Sequence, residues 1–503
     1  MQLRADIEIH DQDDSATVVD GATGLKLVVS RETASLLAGL SADNDALSPT
    51  DDCAGLLSFF RNLGMTRDAT PREARAQQAR YILADAEFSE WPRVMQTVER
   101  AHRQTALHRE HLAVALQAGH WDLESLPVLG RAALRRHFPR GLTVDTLDLG
   151  ARLRAGDLMV TSTSGTTGER LQVYSDTRIA RLPENFKSLW GLSDLPTSRP
   201  LRTAVLTSPG CSAGVCTRRN MSMQERVSFE HTLFLESTRD PFELDLAHVS
   251  RMLDELSAFE PDLLLVNPVY LSLFTACVQR ERLALPHVRA IVMTYQGSSS
   301  AQRQRLAAAY GAPVFQMYSA TELGGSQIGI SCLHGALHVR LDQLFLELLR
   351  DGERVAEGML GNPVVTTHHP SMPLVRYQLS DLARFSMEPC ACEVGSAWPS
   401  LIVEGRERDA FVRAGALITT SMVDDALAGL PLSLYQLSET RAGEFQLAVV
   451  PELDPDVPWE EARARLQVLL GASRLELLFT SRLPFEESGK FRFTIPYVEQ
   501  AHV

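Results

Sequence analysis

Long hydrophobic runs are absent from this chain of 503 residues: no apolar stretch approaches the roughly 18–20 residues that span a membrane. Positive charge is also in short supply. Lys and Arg number 49 against 63 Asp and Glu, a formal net charge of −14. That balance argues against nucleic acid or an anionic membrane as the main partner, although a small-molecule site can still be locally basic. Cysteine is sparse too. Cys53, Cys211, Cys216, Cys277, Cys332, Cys390 and Cys392 are an odd number spread over a long chain, which is no secreted disulfide framework and implies a reducing, cytoplasmic setting. The opening MQLRADIEIHDQDD is too polar for a signal peptide. Neither an internal repeat nor a low-complexity tract is present. What remains is an ordinary globular composition, 45% hydrophobic and 22% charged, in a chain too long for one core.

Residues 1–70 read as a separate unit. IEIHDQ and ATVVDG-ATG-LKLVVS suggest strands joined by a Gly-containing turn, and RETASLLAGL and SPTDDCAGLLSFFRNLG suggest two helices, the second stopped by Gly64. This order is compatible with a small winged-helix fold. Residues 66–90 are polar and predict a linker helix; residues 91–160 read as helical. From 155 to about 400, TAVLTS, DLLLVN, AIVMTY and PVFQMYS are short apolar runs suited to buried strands. RMLDELSAF, YLSLFTACVQRERL and SAQRQRLAAAYG between them have helical period. The alternation predicts an α/β domain with a largely parallel sheet. Residues 405–503 predict a smaller α+β unit.

The most informative stretch is TSTSGTTGER, residues 161–170. Thr163, Ser164, Thr166 and Thr167 offer hydroxyl donors, and Gly165 and Gly168 let the backbone approach a ligand closely. The run lies between DLMVTS and RLQVYS, so it predicts a hairpin tip and not the helix-opening loop of a Walker motif. Four further motifs follow in order. MYSATELGG (317–325) ends a predicted strand, where open α/β sheets bind ligands. VRYQLSDLARF (375–385) carries Asp381 after a turn. EGRERDAFVRAG (404–415) marks the expected domain boundary. LPFEESGKFRF (483–493) places Lys490 after Gly489.

In this order the five motifs resemble those of the adenylate-forming acyl-CoA synthetase superfamily: a TSGTTG phosphate loop, YGxTE, YRTGD, GRxDD and a GK near the end. Within it the chain is most similar to the phenylacetate-CoA ligase branch. WPRVMQTVERAHRQTALHREHL resembles that branch's N-terminal helix, and MPLVRYQLSDLARF with the later PCAC resembles its PLIRYRTGDL and PCPCG segments. The resemblance covers residues 91–500. It implies a large adenylating domain with mixed and parallel sheets (71–404) and a small mobile α+β lid (405–503). Residues 1–70, in length and strand–helix order, resemble the small PqqD-like peptide-binding fold.

Carried over residue by residue, the resemblance implies that Thr163, Ser164, Gly165, Thr166, Thr167 and Gly168 hold the β- and γ-phosphates of ATP. Glu322 would hold Mg²⁺, a hard ion that prefers carboxylate oxygen. Asp381 would accept the ribose hydroxyls, Arg406 would assist at the ribose or phosphates, and Lys490 would bridge the attacking carboxylate and the α-phosphate. Tyr295 and Gln296 fall where relatives contact adenine; Tyr318 would stack on it, with Ser319 and Thr321 in the same motif. The carboxylate pocket would draw on Pro209, Gly210, Cys211, Gly214, Val215, Met317 and Ala320, small or apolar groups that suit an aryl or hydrophobic acid. Departures stand out. The family's Pro-Lys after the phosphate loop is Arg170-Leu171 here, TG before the ribose aspartate is Leu379-Ser380, and the hinge position is Arg408. They mark a divergent member with unusual substrate or second-step chemistry.

Cys332-x5-His338 and Cys390-x-Cys392 supply three thiols and an imidazole, a tetrahedral structural zinc set, with His334 as an alternative to His338. Their positions match residues that recur in phenylacetate-CoA ligase relatives. The expectation is therefore a two-step AMP-forming ligase that makes acyl-AMP and pyrophosphate, then passes the acyl group to coenzyme A. An amine or a carrier-protein phosphopantetheine is the alternative acceptor, and a peptide or carrier-bound substrate follows if residues 1–70 are PqqD-like. The competing class is a non-catalytic nucleotide- or peptide-binding protein; the presence of Glu322 and Lys490 argues against it.

Overall fold

The computed structural model describes residues 3–12, 15–41, 59–67, 69–117, 121–163, 170–180, 186–195, 199–209, 221–228, 231–430, 432–451 and 459–497. Most of the second N-terminal helix expected from SPTDDCAGLL lies outside these residues. The chain opens with a three-stranded antiparallel sheet, β1 (Ile7–Asp11), β2 (Ser15–Asp20) and β3 (Lys26–Ser30), followed by the helix Arg31–Ser41. Alternation along β2 buries Ala16 and Val18 and leaves their neighbours half-exposed, as the period of a one-sided strand requires.

A 34-residue helix, Pro71–Gln104, comes next. It starts at a capping box: Glu73 N–H donates to Thr70 Oγ1, and Thr70 N–H donates to the Glu73 carboxylate. The linker helix expected over 66–90 and the helical stretch expected from 91 run together as this one helix. Pro92 costs one helical bond, but it lies on the exposed face, where the freed carbonyl is open to solvent, so the helix continues. Its first half buries Ala74, Gln78 and Ile82 against the N-terminal sheet. Gln78 Nε2 donates to the fully buried Asp20 at 2.6 Å, which also takes a bond from Arg4. Its second half buries Val94, Val98 and Ala101 in a different core with Phe345 and Val375.

β4 (Leu158–Ser162) and β5 (Gln172–Asp176) pair antiparallel, so TSTSGTTGER does cap a hairpin. The central sheet has ten strands. β6 (Thr203–Leu206), β8 (Thr232–Phe234), β9 (Leu263–Val266), β10 (Ala290–Met293) and β11 (Val314–Ser319) run parallel, with β7 (Val227–Ser228) on the outer edge. Beyond β11 the sheet turns antiparallel through β12 (Gln327–Ser331), β13 (Leu337–Val339), β19 (Ser400–Arg406) and β18 (Asp381–Phe385). The sheet is thus mixed where alternation alone predicted a largely parallel one. Between β13 and β18 the chain builds a separate sheet from β14 (Leu344–Arg350), β15 (Glu353–Arg354), β16 (Asn362–Thr367) and β17 (Leu374–Gln378).

Helices Leu246–Phe259, Pro268–Arg280 and Ser300–Tyr310 are each started by a side-chain cap, from Asp245, Asn267 and Ser299. They cover one face of the parallel half; Phe186, Trp190 and Phe315 pack on the other. After β19 come the hairpin β20 (Phe411–Arg413) and β21 (Ala416–Ile418), helix Thr420–Ala426, and a sheet ordered β24-β23-β22-β25. That sheet is β22 (Leu432–Arg441), β23 (Glu444–Pro451), β24 (Arg474–Phe479) and β25 (Thr494–Ile495), with the helix Trp459–Leu470 between β23 and β24. Its core joins Phe411, Val423, Leu437, Leu447 and Leu466. Among the described residues no helix is long and apolar enough to cross a membrane.

Candidate active site

A cavity of about 1830 Å³ lies at the carboxyl ends of β6, β9, β10 and β11, bounded on the other side by the helix Thr420–Ala426 and the loop that carries Lys490. Its size exceeds the ~300–1,000 Å³ of an ordinary small-molecule pocket. Lys490, Arg406, Asp381 and Glu322 all face it, although they come from four separate motifs.

The lysine loop is shaped by Gly489, whose φ of +75° favours glycine; a Cβ there would stand 2.4 Å from Ser208 Cβ. Gly489 N–H donates to Glu486 O at 2.8 Å, and Glu486 N–H donates to Lys490 O at 2.9 Å, closing a tight loop. Burial, then the Arg406 guanidinium, brings the Lys490 ammonium down to about 8, while Asp381, Glu322 and Glu486 act the other way. Asp381 opens β18 opposite Arg406 on β19. Its Oδ2 accepts the Tyr318 hydroxyl at 2.7 Å. Burial, reinforced by this carboxylate, pushes the Tyr318 phenol well above its usual value.

Glu322 sits in the turn Thr321–Leu323 after β11. Its Oε1 is 3.5 Å from Arg131 Nε, and the Tyr377 hydroxyl hydrogen-bonds it as well. Arg131 also donates through Nη2 to Thr163 Oγ1 at 2.9 Å. Thr163 Oγ1 accepts Leu171 N–H at 3.1 Å, which fixes the base of the 161–170 loop. Sequence reasoning missed Arg131. GRAALRRH signals only a helix start, and nothing local ties its first residue to a carboxylate so far downstream. Ser164, Gly165, Thr166, Thr167 and Gly168 lie outside the described residues, as do Gly210, Cys211, Gly214 and Val215. Met317, Ser319, Ala320, Thr321 and Tyr295 line the cavity. Pro209 follows the lining residues Thr207 and Ser208 without being one of them. Gln296 lines it too, but its carboxamide is committed to the backbone of Phe491.

Cys332, His338, Cys390 and Cys392 converge, their donor atoms all within 4.8 Å of one another. Cys332 follows β12, His338 lies in β13, and the Cys-x-Cys loop joins β18 to β19, so adjacent strands of the sheet bring them together. The Cys332 and Cys390 sulfurs are 3.6 Å apart, near the ~3.8 Å edge of a tetrahedron with 2.3 Å zinc–sulfur bonds. His338 Nδ1 lies 3.1 Å from Trp398 O, which leaves Nε2 aimed at the cluster, 3.2 Å from Cys392 Sγ. Soft sulfur donors, tetrahedral spacing and a fixed imidazole fit zinc. His334 is not in the cluster; it lines the cavity.

No protein-family model and no curated protein sequence matches the chain. Solved structures do. A 2-hydroxyisobutyryl-CoA ligase in the postadenylation state, in complex with 2-HIB-AMP, is 18% identical with a TM-score of 0.59, covering 92% of this chain and 96% of that one. The same ligase in complex with R3-HIB-AMP is 17% identical with a TM-score of 0.59, covering 92% and 95%. The chain has the two-domain fold of the adenylate-forming ligases.

Proposed function

We propose that this protein activates a carboxylic acid with ATP, releasing pyrophosphate and forming acyl-AMP, and then transfers the acyl group to a thiol, coenzyme A by default. The observation that carries this reading is the convergence of Lys490, Arg406, Asp381, Glu322 and Arg131 on one cavity from distant parts of the chain. A carboxylate oxygen attacks the α-phosphorus as the bond to pyrophosphate breaks, so negative charge gathers where Lys490 points. A fixed ammonium there stabilises the transition state more than the ground state. Asp381 has the acceptor oxygens for ribose hydroxyls, and the Tyr318 ring offers a stacking face for adenine. Thr163 and Arg131 form the phosphate end of the described residues. Glu322 suits Mg²⁺, which would neutralise phosphate charge when bound. Arg131 and Tyr377 hold that carboxylate in position. The zinc assigned to Cys332, His338, Cys390 and Cys392 is structural, because protein fills all four positions. Met317 and Ala320, which line the cavity, favour an aryl or hydrophobic acid of the phenylacetate type in a cytoplasmic enzyme.

A second reading concerns the partner. Thr23 and Arg75, from the N-terminal segment, line the same cavity. This favours a peptide or a carrier-bound group, or an amine acceptor, presented by residues 1–70. Measuring acid-dependent pyrophosphate release with a panel of aryl, alkyl, peptidyl and carrier-bound acids tests both readings. Release with a free aryl acid supports the first, and release only with peptidyl or carrier-bound acids supports the second. No release above the acid-free background with any acid, from protein that binds ATP, rejects adenylation.

A further inference from the structure

Gln296 and Phe491, 195 positions apart in sequence, join two parts of the fold, and the contact is made by a side chain reading a backbone. Gln296 Oε1 accepts Phe491 N–H at 3.1 Å, and Gln296 Nε2 donates to Phe491 O at 3.4 Å. A carboxamide carries a donor and an acceptor side by side, which here match the C=O and the N–H of one residue. Resting on the adenylation reading above, we propose that Gln296 is a positioning residue: by gripping the backbone of Phe491 it sets the reach of the neighbouring Lys490 for the first step and releases it for the second.

Several contacts support this role. The loop after β10 is turned at Tyr295, whose φ is +71°, and that turn directs Gln296 toward the C-terminal unit. The lysine loop is held on its other flank as well: Ser208 Oγ donates to Ser488 O at 3.2 Å. Lys490 is thus bracketed by one contact before it and one after it, both from the large body. Within the C-terminal unit the loop ends are tied to the boundary segment, Glu486 to Arg408 at 2.7 Å and Arg492 to Asp409 at 2.6 Å. These internal pairs travel with the unit when it turns; the Gln296 and Ser208 contacts do not. Phe491 packs against Phe485 and Phe493 with ring centroids 5.1 and 5.0 Å apart, so a shift of its backbone is transmitted along the loop. A displacement of a catalytic group by about 1 Å is enough to cost rate. The carboxamide expected to read adenine has both its polar atoms engaged here.

Gln296→Ala and the near-isosteric Gln296→Met test this, with two readouts. Hydrogen exchange at the Phe491 amide, followed in peptides spanning 486–493, reports the contact without any turnover. Both variants should exchange about tenfold faster there than the wild type, the equivalent of one lost hydrogen bond. In the pyrophosphate assay kcat should fall about tenfold while the KM for ATP stays within about twofold. Consumption of pre-formed acyl-AMP should not fall with it. A raised ATP KM at unchanged kcat would make Gln296 a nucleotide contact and overturn the proposal, as would wild-type exchange at Phe491. If the wild-type protein releases no pyrophosphate with any acid, the adenylation reading falls, and exchange alone decides whether Gln296 holds the loop.

Discussion

In the proposed reaction Lys490 concentrates the chemistry in one side chain. Lys490→Ala should slow acyl-AMP formation by on the order of 10²–10³-fold, the scale for one preorganised donor. Conversion of acyl-AMP to product should suffer much less, which a half-reaction assay checks; equal losses would reject the assignment. The pH dependence has a definite sign. This lysine acts charged, and its surroundings bring it down to about 8, so its proton leaves where an ordinary lysine keeps one. First-step kcat/KM, which reports the free enzyme, should therefore fall as pH rises through about 8 and be flat below it. A profile that stays level to pH 10 would contradict this. Lys490 and Asp381 were legible because short motifs surround them. Arg131 and the Gln296–Phe491 contact were not, because they exist only once distant segments meet.

The hairpin β12–β13 and the loop between β18 and β19 meet at the cysteine cluster. One zinc per chain should be found by elemental analysis, and Cys390→Ser should lose most of it. A chelator should lower the unfolding temperature, since metal binding to a preformed site adds to folding stability. Absence of zinc, or full zinc in Cys390→Ser, would reject the site. The ligand types were readable from the sequence and His338 from the resemblance; strand pairing is what turns His338 and not His334 toward the sulfurs. The same asymmetry holds for the fold. The apolar runs of β6, β9, β10 and β11 announced buried parallel strands. The antiparallel half is implied by the resemblance alone and not by the alternation, because its strands are short, mixed in polarity and contributed by segments far apart in sequence. The long helix was split in the reading at its polar stretch, although Thr70, Pro71 and Glu73 do spell its start.

At the scale of the molecule, one arrangement cannot serve both steps. In the proposed two-step reaction Lys490 would stand where the incoming thiol or amine must approach, so the C-terminal unit would have to turn, with the segment Glu404–Arg408 as the expected pivot. Arg408→Pro fixes φ there but also removes the bond to Glu486, so Arg408→Gln is its control. Both variants should release pyrophosphate alike, while Arg408→Pro transfers the acyl group more slowly. Equal transfer rates in two well-folded variants would refute the pivot. The N-terminal unit is attached differently. One unbroken helix of 34 residues, roughly 51 Å long, is buried at one end in the N-terminal core and at the other in the body that carries the cavity. No tether of adjustable length lies between them. Anything gripped by that unit would meet the cavity rim at Thr23 and Arg75 at an effective concentration set by geometry, independent of how much of it is free in solution.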